Sequence, residues 1–378
     1  MKYTPDQIWE KLQKGVFIIA EAGKNFIQTE ADQTPEVYLK NAMQLVDEAA
    51  KAGADAIKFQ THTVEDEILN VPIDSPHFPN WKRGGRYGWV SRNTNGTPVK
   101  EFWLPLKAYA ETRGILFFST PMSYGAAKRI HEEIGQPLWK IGSGDILDFK
   151  TLDYMRNTTL PIILSSGMST LEEVKQSFNF LTAKNKRVAL LHCVSKYPTP
   201  TEDLNLKTME LFREEFPGTP VGLSDHSVGT DVDGVAIAMG ATILEKHFSL
   251  GRDIWGPDHK VSMTPAELTE MVQDAKVFQK LSKEEQQKIL QTEFARIAMG
   301  RKEKFLQEGE KVFRPLFRKA LRAGQDIPAG TVLTEEMIYA MRPQTVGGLP
   351  SENYEKVLGK KIKIALKKFD PIEWQVFA

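Results

Sequence analysis

The feature that most constrains the fold is a strand–helix–strand pattern at residues 221–249. The apolar runs VGL and ATIL each lead into a polar cluster with a histidine, and GVAIAMG between them predicts a buried helix. Such a unit returns both strands to the same end of a parallel sheet. We therefore expect His226 and His247 side by side at the carboxyl ends of neighbouring strands, where α/β folds bind ligands. Two histidines alone indicate a metal only weakly, because a satisfied core histidine is commoner.

The same alternation of short apolar strands and helices recurs along residues 16–281. Strands are predicted at 16–20, 54–60, 115–119, 138–141, 162–164, 188–192, 221–223 and 242–244, with helical patterns between them. The strands are continuously apolar, as a sheet covered on both faces requires. Eight such units predict an α/β fold with a closed (β/α)8 TIM barrel. A doubly wound sheet uses similar units, but the GxGxxG phosphate fingerprint after a first strand is missing.

Two regions depart from this rhythm. Residues 70–98, called the 70–98 segment below, are rich in Pro, Gly, Asn and Trp and show no period. They follow the second strand, so they form either a functional loop over the mouth or an ordered surface decoration. After a barrel domain at 1–281 and a charged linker at 282–312, short strands and turns predict a small, mostly β domain at 313–378. A domain of that size is expected to lean on the barrel or on a second chain.

Composition narrows the function. Forty-nine basic residues balance forty-nine acidic ones, so no net field recruits nucleic acid or a membrane surface. The single cysteine, Cys193, excludes an internal disulfide and is expected to be a small buried hydrophobe. The start lacks the apolar core of a signal peptide and no later run is long enough to span a bilayer, so a cytoplasmic location is expected. An anionic substrate must then be held by a few local cations.

Polar side chains lie at the carboxyl end of every predicted strand. They are Glu21, Lys58, Gln60, Thr120, Lys140, Ser143, Asp145, Ser165, His192, Ser195, Ser224, His226, Glu245 and His247. The lysines and hydroxyls predict a site for a small phosphate or carboxylate, and the two histidines suggest a Lewis-acid metal beside it. Glu21 and Asp145 are the expected acid–base carboxylates. Together they suggest carbon–carbon bond formation between a phosphorylated, carboxylated nucleophile and an aldehyde. We interpret His192 as an inward-facing core group without a role.

The same residues lie in motifs that resemble a known family. IIAEAG, AIKFQTHTVEDE, FFSTPMS, WKIGSGD, PIILSSGMST, LLHCVSKYPTP, GLSDHSVG, ILEKHFS and GPDH occur in the order found in the sialic acid synthase family. The C-terminal segment resembles the antifreeze-like (SAF) domain of those enzymes. This resemblance implies condensation of phosphoenolpyruvate with N-acetylmannosamine or a related aldose to give a nonulosonic acid.

The resemblance also implies a role for each matching residue. Lys58, Thr120, Lys140, Ser143, Ser165, Ser195 and Ser224 are implied to bind phosphoenolpyruvate, and Gln60, Asp145, Tyr197, Asp258 and Arg342 to contact the sugar. His226 and His247 are implied to hold a divalent metal, Mn²⁺ or a similar ion such as Mg²⁺ or Co²⁺. Glu21 matches the catalytic glutamate. Arg342 matches an arginine that the C-terminal domain projects into the other subunit's active site, which implies a domain-swapped homodimer.

Two other functions remain open from the sequence. A Schiff-base pyruvate aldolase or lyase could use Lys58 or Lys140 as its nucleophile, and a non-enzymatic carbohydrate-binding protein could use the barrel as a scaffold. The aldose also stays open between N-acetylmannosamine, its 6-phosphate, mannose and a diacetamido sugar of the legionaminic or pseudaminic type. Asp145 stands where bacterial N-acetylneuraminate enzymes have glutamate, and Ser195 where some members have asparagine. Both departures, like the 70–98 segment, are expected near the sugar.

Overall fold

The computed structural model describes residues 3–73, 81 and 83–378. Eight parallel strands form its centre: β1 Phe17–Gly23, β2 Ala56–Thr61, β3 Leu116–Pro121, β4 Trp139–Ile141, β5 Ile162–Ser165, β6 Val188–Cys193, β7 Val221–Asp225 and β8 Ile243–His247. Their hydrogen-bonded order is β3-β2-β1-β8-β7-β6-β5-β4, and β3 lies beside β4 where the barrel closes. The predicted (β/α)8 barrel is confirmed.

Helices connect the strands and cover the barrel. The longer ones are α1 Pro5–Gln13, α2 Pro35–Ala52, α4 Gly85–Gly96, α5 Leu104–Thr112, α7 Phe149–Arg156, α8 Leu171–Thr182, α9 Thr208–Glu215, α10 Asp231–Ala238, α11 Pro265–Phe278, α12 Lys283–Leu290 and α13 Glu293–Met299; single turns are α3 Val64–Glu67, α6 Tyr124–Lys128, α14 Glu308–Lys311, α15 Arg314–Phe317 and α16 Tyr354–Val357. Local chemistry sets their ends. In α2, Thr34 caps the first turn, Pro35 opens the helix, and Gly53 ends it at φ +87°.

Alternation along the strands divides the barrel interior into two layers. The lower layer is apolar and consists of Phe17, Ile19, Ala56, Leu116, Phe118, Leu138, Ile163, Ala189, Leu191 and Ile243. Ile8 and Leu12 of α1 pack into this layer, so α1 closes the amino end of the barrel. Residues two positions further along the strands point the same way. On six of the strands they are residues that the sequence singled out, and they form a polar upper layer: Glu21, Lys58, Thr120, Lys140, Ser165 and Glu245.

The 70–98 segment contains α4, a helix that the sequence analysis did not predict because the segment has no apolar period. This helix is held in place by contacts between Arg92 and residues from other parts of the chain. The guanidinium donates to the carbonyls of Thr29 (2.9 Å), Glu30 (3.0 Å) and Ala31 (2.6 Å) on the loop after β1. It also lies between the rings of Trp81, Trp89 and Trp255, at 5.4–5.8 Å from each centroid. Within this segment, residues 74–80 and 82 lie outside the described residues.

The C-terminal unit packs against the carboxyl end of the barrel. Its antiparallel pair is β9 Ala320–Ala323 with β10 Ile338–Met341, which confirms a small, mostly β domain. Lys150 of α7 donates to the carbonyl of Glu335 at 2.9 Å, and the amide of Arg342 donates to the carbonyl of Glu67 at 2.9 Å. In the region before it, α12 has no buried residue, whereas α13 buries two alanines.

None of the described helices is both long enough and apolar enough to cross a membrane.

Replacing Leu12 by alanine tests the role of α1. Leu12 is fully buried beneath the barrel, so Leu12→Ala should lower the free energy of unfolding by about 2–5 kcal/mol, the usual cost of a cavity at a buried leucine. Denaturant unfolding followed by circular dichroism measures the difference. Val277→Ala on α11, where the side chain is 56% exposed, is the control and should change stability by less than about 0.5 kcal/mol. Equal midpoints for the two variants would contradict the role of α1.

Candidate active site

Four buried charges form the centre of the polar upper layer. The Nζ atom of Lys58 lies 2.6 Å from Oε2 of Glu21 and 3.6 Å from Oε2 of Glu245, and Nζ of Lys140 lies 3.3 Å from Oε1 of Glu245. The strand register produces this arrangement, since Glu21 is paired with Lys58 on one side and with His247 on the other. The result is a chain of alternating charge, Glu21–Lys58–Glu245–Lys140, across the barrel.

The pKa values within this chain diverge. Burial alone raises the pKa of Glu245, but the ammonium groups of Lys140 and Lys58 outweigh burial and lower it to about 2. Burial raises the pKa of Glu21 above the usual value despite the opposing charge of Lys58. Burial lowers the pKa of Lys140, against the attraction of Glu245. Glu245 is thus a fixed anion, whereas Glu21 and Lys140 exchange protons more readily than exposed residues of their kind.

Hydroxyl groups surround the two lysines. Thr120 Oγ1 accepts from Lys58 Nζ at 3.1 Å, Ser224 Oγ donates to Glu245 at 3.2 Å, and Ser143 Oγ accepts from the amide of Gly167 at 3.1 Å. These three line a cavity at the barrel mouth, as do the lysines and Ser165.

Ser195 lies just behind the wall of this cavity, since a Cβ atom on Gly167 would clash with its Oγ and lie 2.6 Å from Oγ of Ser143. It is absent from the residues that line the cavity. Its side chain is fully buried, and its amide donates to Glu310 Oε1 at 2.9 Å. The chain has already left β6, which ends at Cys193, so strand alternation no longer directs this side chain into the barrel.

His226 and His247 lie together at one side of the cavity. Their ring centroids are 5.4 Å apart, and the Tyr197 ring lies 4.2 Å from that of His226. The Nδ1 atom of His226 is 2.8 Å from the carbonyl of Val194 and donates to it, which leaves the lone pair of a neutral ring on Nε2. Burial lowers the pKa of His247 to about 3, so that ring is neutral, and its buried Nδ1 has no hydrogen-bond partner.

These two rings fit a divalent metal. His247 is a neutral imidazole, the form that binds transition metals. For His226, burial is outweighed by the neighbouring Cys193, which raises the pKa, and the ring presents its Nε2 lone pair to a metal when it loses the proton there. Among the described residues there is no cluster of three or more His, Cys, Asp or Glu side chains placed to hold a metal ion. The described part of the chain therefore offers two imidazole ligands, and the remaining coordination positions are open to small molecules.

The residues expected at the sugar lie around the rest of the mouth. Gln60 donates to Glu21 Oε1 at 2.8 Å and accepts from Lys24 Nζ at 2.6 Å. Gln60, Tyr197, Asp145 and Asp258 all line the cavity.

Asp145 and Arg342 form an ion pair at this end. Arg342 Nη2 lies 2.5 Å and Lys319 Nζ 2.9 Å from Asp145 Oδ1. Burial opposes ionisation of Asp145, but the charges of Arg342 and Lys319 outweigh it and lower the pKa, so this carboxylate is suited to accepting hydrogen bonds rather than to giving a proton. Arg342 is fully buried behind Asp145 and does not itself line the cavity. Here Arg342 and Asp145 belong to one chain, whereas the resemblance implies an arginine from the other subunit.

One orientation inferred from the sequence is wrong. His192 points outward from the barrel, and its Nε2 lies 2.6 Å from the carbonyl of Leu204. The inward positions of β6 are Ala189 and Leu191, so His192 has the opposite parity. It is a buried group held by this one hydrogen bond, while its Nδ1 has no hydrogen-bond partner, and it does not line the cavity.

Sequence reasoning gave no role to several residues at the mouth. Strand alternation places Glu245 at the end of the eighth strand, on the same face as His247, but assigns it no role. Lys24, Arg86 and Phe317 also line the cavity. Lys24 lies on a loop, Arg86 on α4 and Phe317 in the C-terminal part of the chain, where no strand alternation indicates direction.

Comparisons with known proteins agree with this geometry. The model of the NeuB family matches residues 45–287, and that of the SAF domain matches residues 318–378. The human N-acetylneuraminate-9-phosphate synthase is 29% identical, with 96% of this chain and 93% of that protein covered. The N,N'-diacetyllegionaminic acid synthase of Campylobacter jejuni is 32% identical, with 94% of this chain and 97% of that protein covered.

Solved structures show the same likeness. The spore coat polysaccharide biosynthesis protein SpsE of Bacillus subtilis superimposes with a TM-score of 0.76 at 28% identity, covering 96% of this chain and 95% of that one. The N-acetylneuraminic acid synthetase of Leptospira borgpetersenii, solved with citrate, gives a TM-score of 0.60 at 32% identity over 73% of this chain and 91% of that one. The family match spans more than half of the chain. The chain therefore belongs to the NeuB family of sialic acid synthases and ends in a SAF domain.

Proposed function

We propose that the protein is a nonulosonic acid synthase that condenses phosphoenolpyruvate with N-acetylmannosamine or a related aldose and releases phosphate. The observation that carries the proposal is the buried pair of lysines bridged by Glu245, in the same cavity as the adjacent rings of His226 and His247. Relatives named as synthases of N-acetylneuraminate 9-phosphate, diacetyllegionaminic acid and pseudaminic acid support a sugar-acid product.

The lysines account for the binding of phosphoenolpyruvate. Lys58 and Lys140 present two cations at the base of the cavity, and Thr120, Ser143, Ser165 and Ser224 supply hydroxyl groups around them. Such a set can neutralise a carboxylate and a phosphate at once. Glu245 holds both ammonium groups in place before the substrate arrives, so little reorganisation is needed when it binds.

The aldehyde of the sugar is placed beside His226 and His247. A divalent metal held by these two residues, with Mn²⁺ the expected ion and Mg²⁺ or Co²⁺ the alternatives, would polarise the aldehyde oxygen as a Lewis acid. C3 of phosphoenolpyruvate forms the new bond to the aldehyde carbon, and the positive charge left at C2 is taken up by water. Collapse of that adduct breaks the bond between C2 and the phosphate oxygen and releases phosphate.

Glu21 is the proposed acid–base group. Its raised pKa lets it take a proton from the water that adds at C2 and give it up again. Gln60 fixes its orientation through the hydrogen bond of 2.8 Å. Asp145, Tyr197 and Asp258 are the proposed sugar contacts, with Arg342 positioning Asp145 from behind.

Phosphate release tests the proposal and its metal. With phosphoenolpyruvate and an active aldose, turnover should stop in EDTA and return with Mn²⁺. His226→Ala and His247→Ala should each lower kcat at least about 100-fold, since loss of even an outer partner of a metal ligand costs 10–100-fold. His131→Ala, on the barrel exterior, is the control and should keep wild-type rates. Full activity in EDTA, or in either active-site variant with an unchanged melting temperature, would exclude the metal.

A second test separates the synthase from a Schiff-base lyase. Lys140→Met should lower kcat/KM for phosphoenolpyruvate about 100- to 1,000-fold, the usual effect of removing a charge-stabilising group. Lys51→Met, an exposed side chain on α2, should have no effect. Borohydride treatment in the presence of pyruvate should leave the mass of the protein unchanged. A covalent adduct on Lys58 or Lys140 would overturn the synthase in favour of the lyase.

We further propose the homodimer in which Arg342 serves the partner's barrel. The test mixes two variant proteins, Lys58→Met and Arg342→Ala. Each variant alone should be nearly inactive at a low concentration of aldose. After subunit exchange, a swapped dimer restores one complete site per heterodimer, so a substantial part of the activity should return. Light scattering should give the mass of a dimer. A dimer without restored activity would show that Arg342 acts within its own chain.

A further inference from the structure

Arg86, at the start of α4 in the 70–98 segment, is a buried cation that nothing described so far uses. Its side chain is 8% exposed and lines the cavity. The Nε atom is buried without a hydrogen-bond partner. Among the residues that the structure describes, the only contact recorded for the guanidinium is the ring of Phe317, whose centroid lies 4.1 Å from Cζ.

The two carboxylates whose charges act on Arg86 are Asp145 and Glu67, and each is paired with another residue through one of its oxygens. Asp145 is paired with Arg342 and Lys319. Glu67 lies 2.7 Å from Nδ1 of His62. Arg86 feels the charges of both carboxylates, but neither forms a hydrogen bond or ion pair with it.

Burial and the nearby charge of Arg342 lower the pKa of Arg86 to about 10, so the side chain is still a cation at neutral pH. A buried cation without a hydrogen-bonded anion is costly to maintain. Such a group is expected where a ligand completes the pairing. Among the described residues no anion is hydrogen-bonded to Arg86, so a ligand in the cavity would supply that anion.

The position of Arg86 is also fixed. The backbone amide of Arg86 donates to the carbonyl of Ile73 at 3.0 Å, and the hydrogen bonds of Arg92 to the loop after β1 fix the rest of α4. Phe317 packs so closely over Gly144 that a Cβ atom there would lie 2.8 Å from its ring. A planar cation stacked on a fixed ring keeps its donors aimed in one direction, which favours two-point binding of an oxyanion.

The position of Arg86 points to the sugar rather than to phosphoenolpyruvate. The guanidinium stacks on Phe317, and that ring packs over Gly144 just after β4. In the order of the eight strands, β4 stands opposite β8, which ends at His247. Arg86 therefore lies across the mouth from His247, at the end of the sugar remote from its aldehyde.

We propose that Arg86 binds a phosphate group carried by the aldose, so that the preferred acceptor is a hexose-type aldose phosphorylated at the end remote from its aldehyde. This inference rests on the proposed synthase function. A phosphate brings a full negative charge and three acceptor oxygens to a cation that the described protein does not neutralise. A neutral sugar offers only hydroxyl oxygens and leaves the charge unbalanced.

The test compares matched acceptors and matched variants. Phosphate release from phosphoenolpyruvate is measured with N-acetylmannosamine and its 6-phosphate, and with mannose and its 6-phosphate. The wild-type protein should have at least a 10-fold higher kcat/KM for the phosphorylated member of the active pair. Arg86→Gln should lower kcat/KM for the phosphorylated sugar about 10- to 100-fold, the range expected for a hydrogen bond to a charged group. The same substitution should change kcat/KM for the neutral sugar less than about 3-fold.

Three controls keep the outcome clear. Arg86→Lys should recover part of the preference, because it keeps the charge and loses the fork. Arg83→Gln, in the same segment but exposed and paired with Asp32, should behave as wild type. The KM for phosphoenolpyruvate and the melting temperature of Arg86→Gln should stay unchanged.

Preference for the neutral sugar, an equal loss on both sugars, or a raised KM for phosphoenolpyruvate would overturn the role of Arg86 while leaving the synthase intact. Absence of phosphate release with every aldose would instead overturn the proposed function itself.

Discussion

The active-site end of the barrel depends on four charges buried in the middle of its interior. Lys58 and Lys140 share Glu245, and Glu21 completes the chain. Removing such groups from water costs several kcal/mol for each ion, and pairing roughly offsets that cost. Apolar residues of similar volume would fill the same layer without the cost. The layer is therefore best understood as a preorganised electrostatic surface, held ready for an anionic ligand, rather than as a source of stability.

The sequence predicts this layer because strand geometry leaves little freedom. In β1, Phe17 and Ile19 point inward, so Glu21 must do so as well, and the same alternation places Lys58 above Ala56. The barrel, the lysines and the two histidines follow from that regularity. Strand alternation no longer predicts direction for residues beyond the end of a strand, and it misleads when inward and outward positions are exchanged. Ser195 lies beyond the end of β6, and His192 was assigned the wrong parity.

Other features could not be read from a local pattern. Helix α4 has no apolar stripe, and it is held by Arg92 bonding to carbonyls about 60 residues earlier in the chain. The position of Arg86 follows from that anchor, and the ring it stacks on belongs to Phe317, more than 200 residues later. Long-range contacts of this kind depend on the completed fold. The small C-terminal unit contributes in the same way, since Lys319 and Arg342 meet at Asp145 only after it has docked.

Closure of the barrel by α1 has a kinetic consequence. Ile8 and Leu12 fill the amino end, so small molecules reach the lysines from the opposite rim. The groups proposed for phosphoenolpyruvate, apart from Ser143, lie on the strands just above the apolar floor. Tyr197 and Asp258 lie on loops beyond the strand ends, and Arg86 lies on α4. A sugar resting on those loops covers the way down. For the two substrates proposed above, this depth favours an ordered mechanism, in which phosphoenolpyruvate enters first and phosphate leaves only after the sugar site is empty.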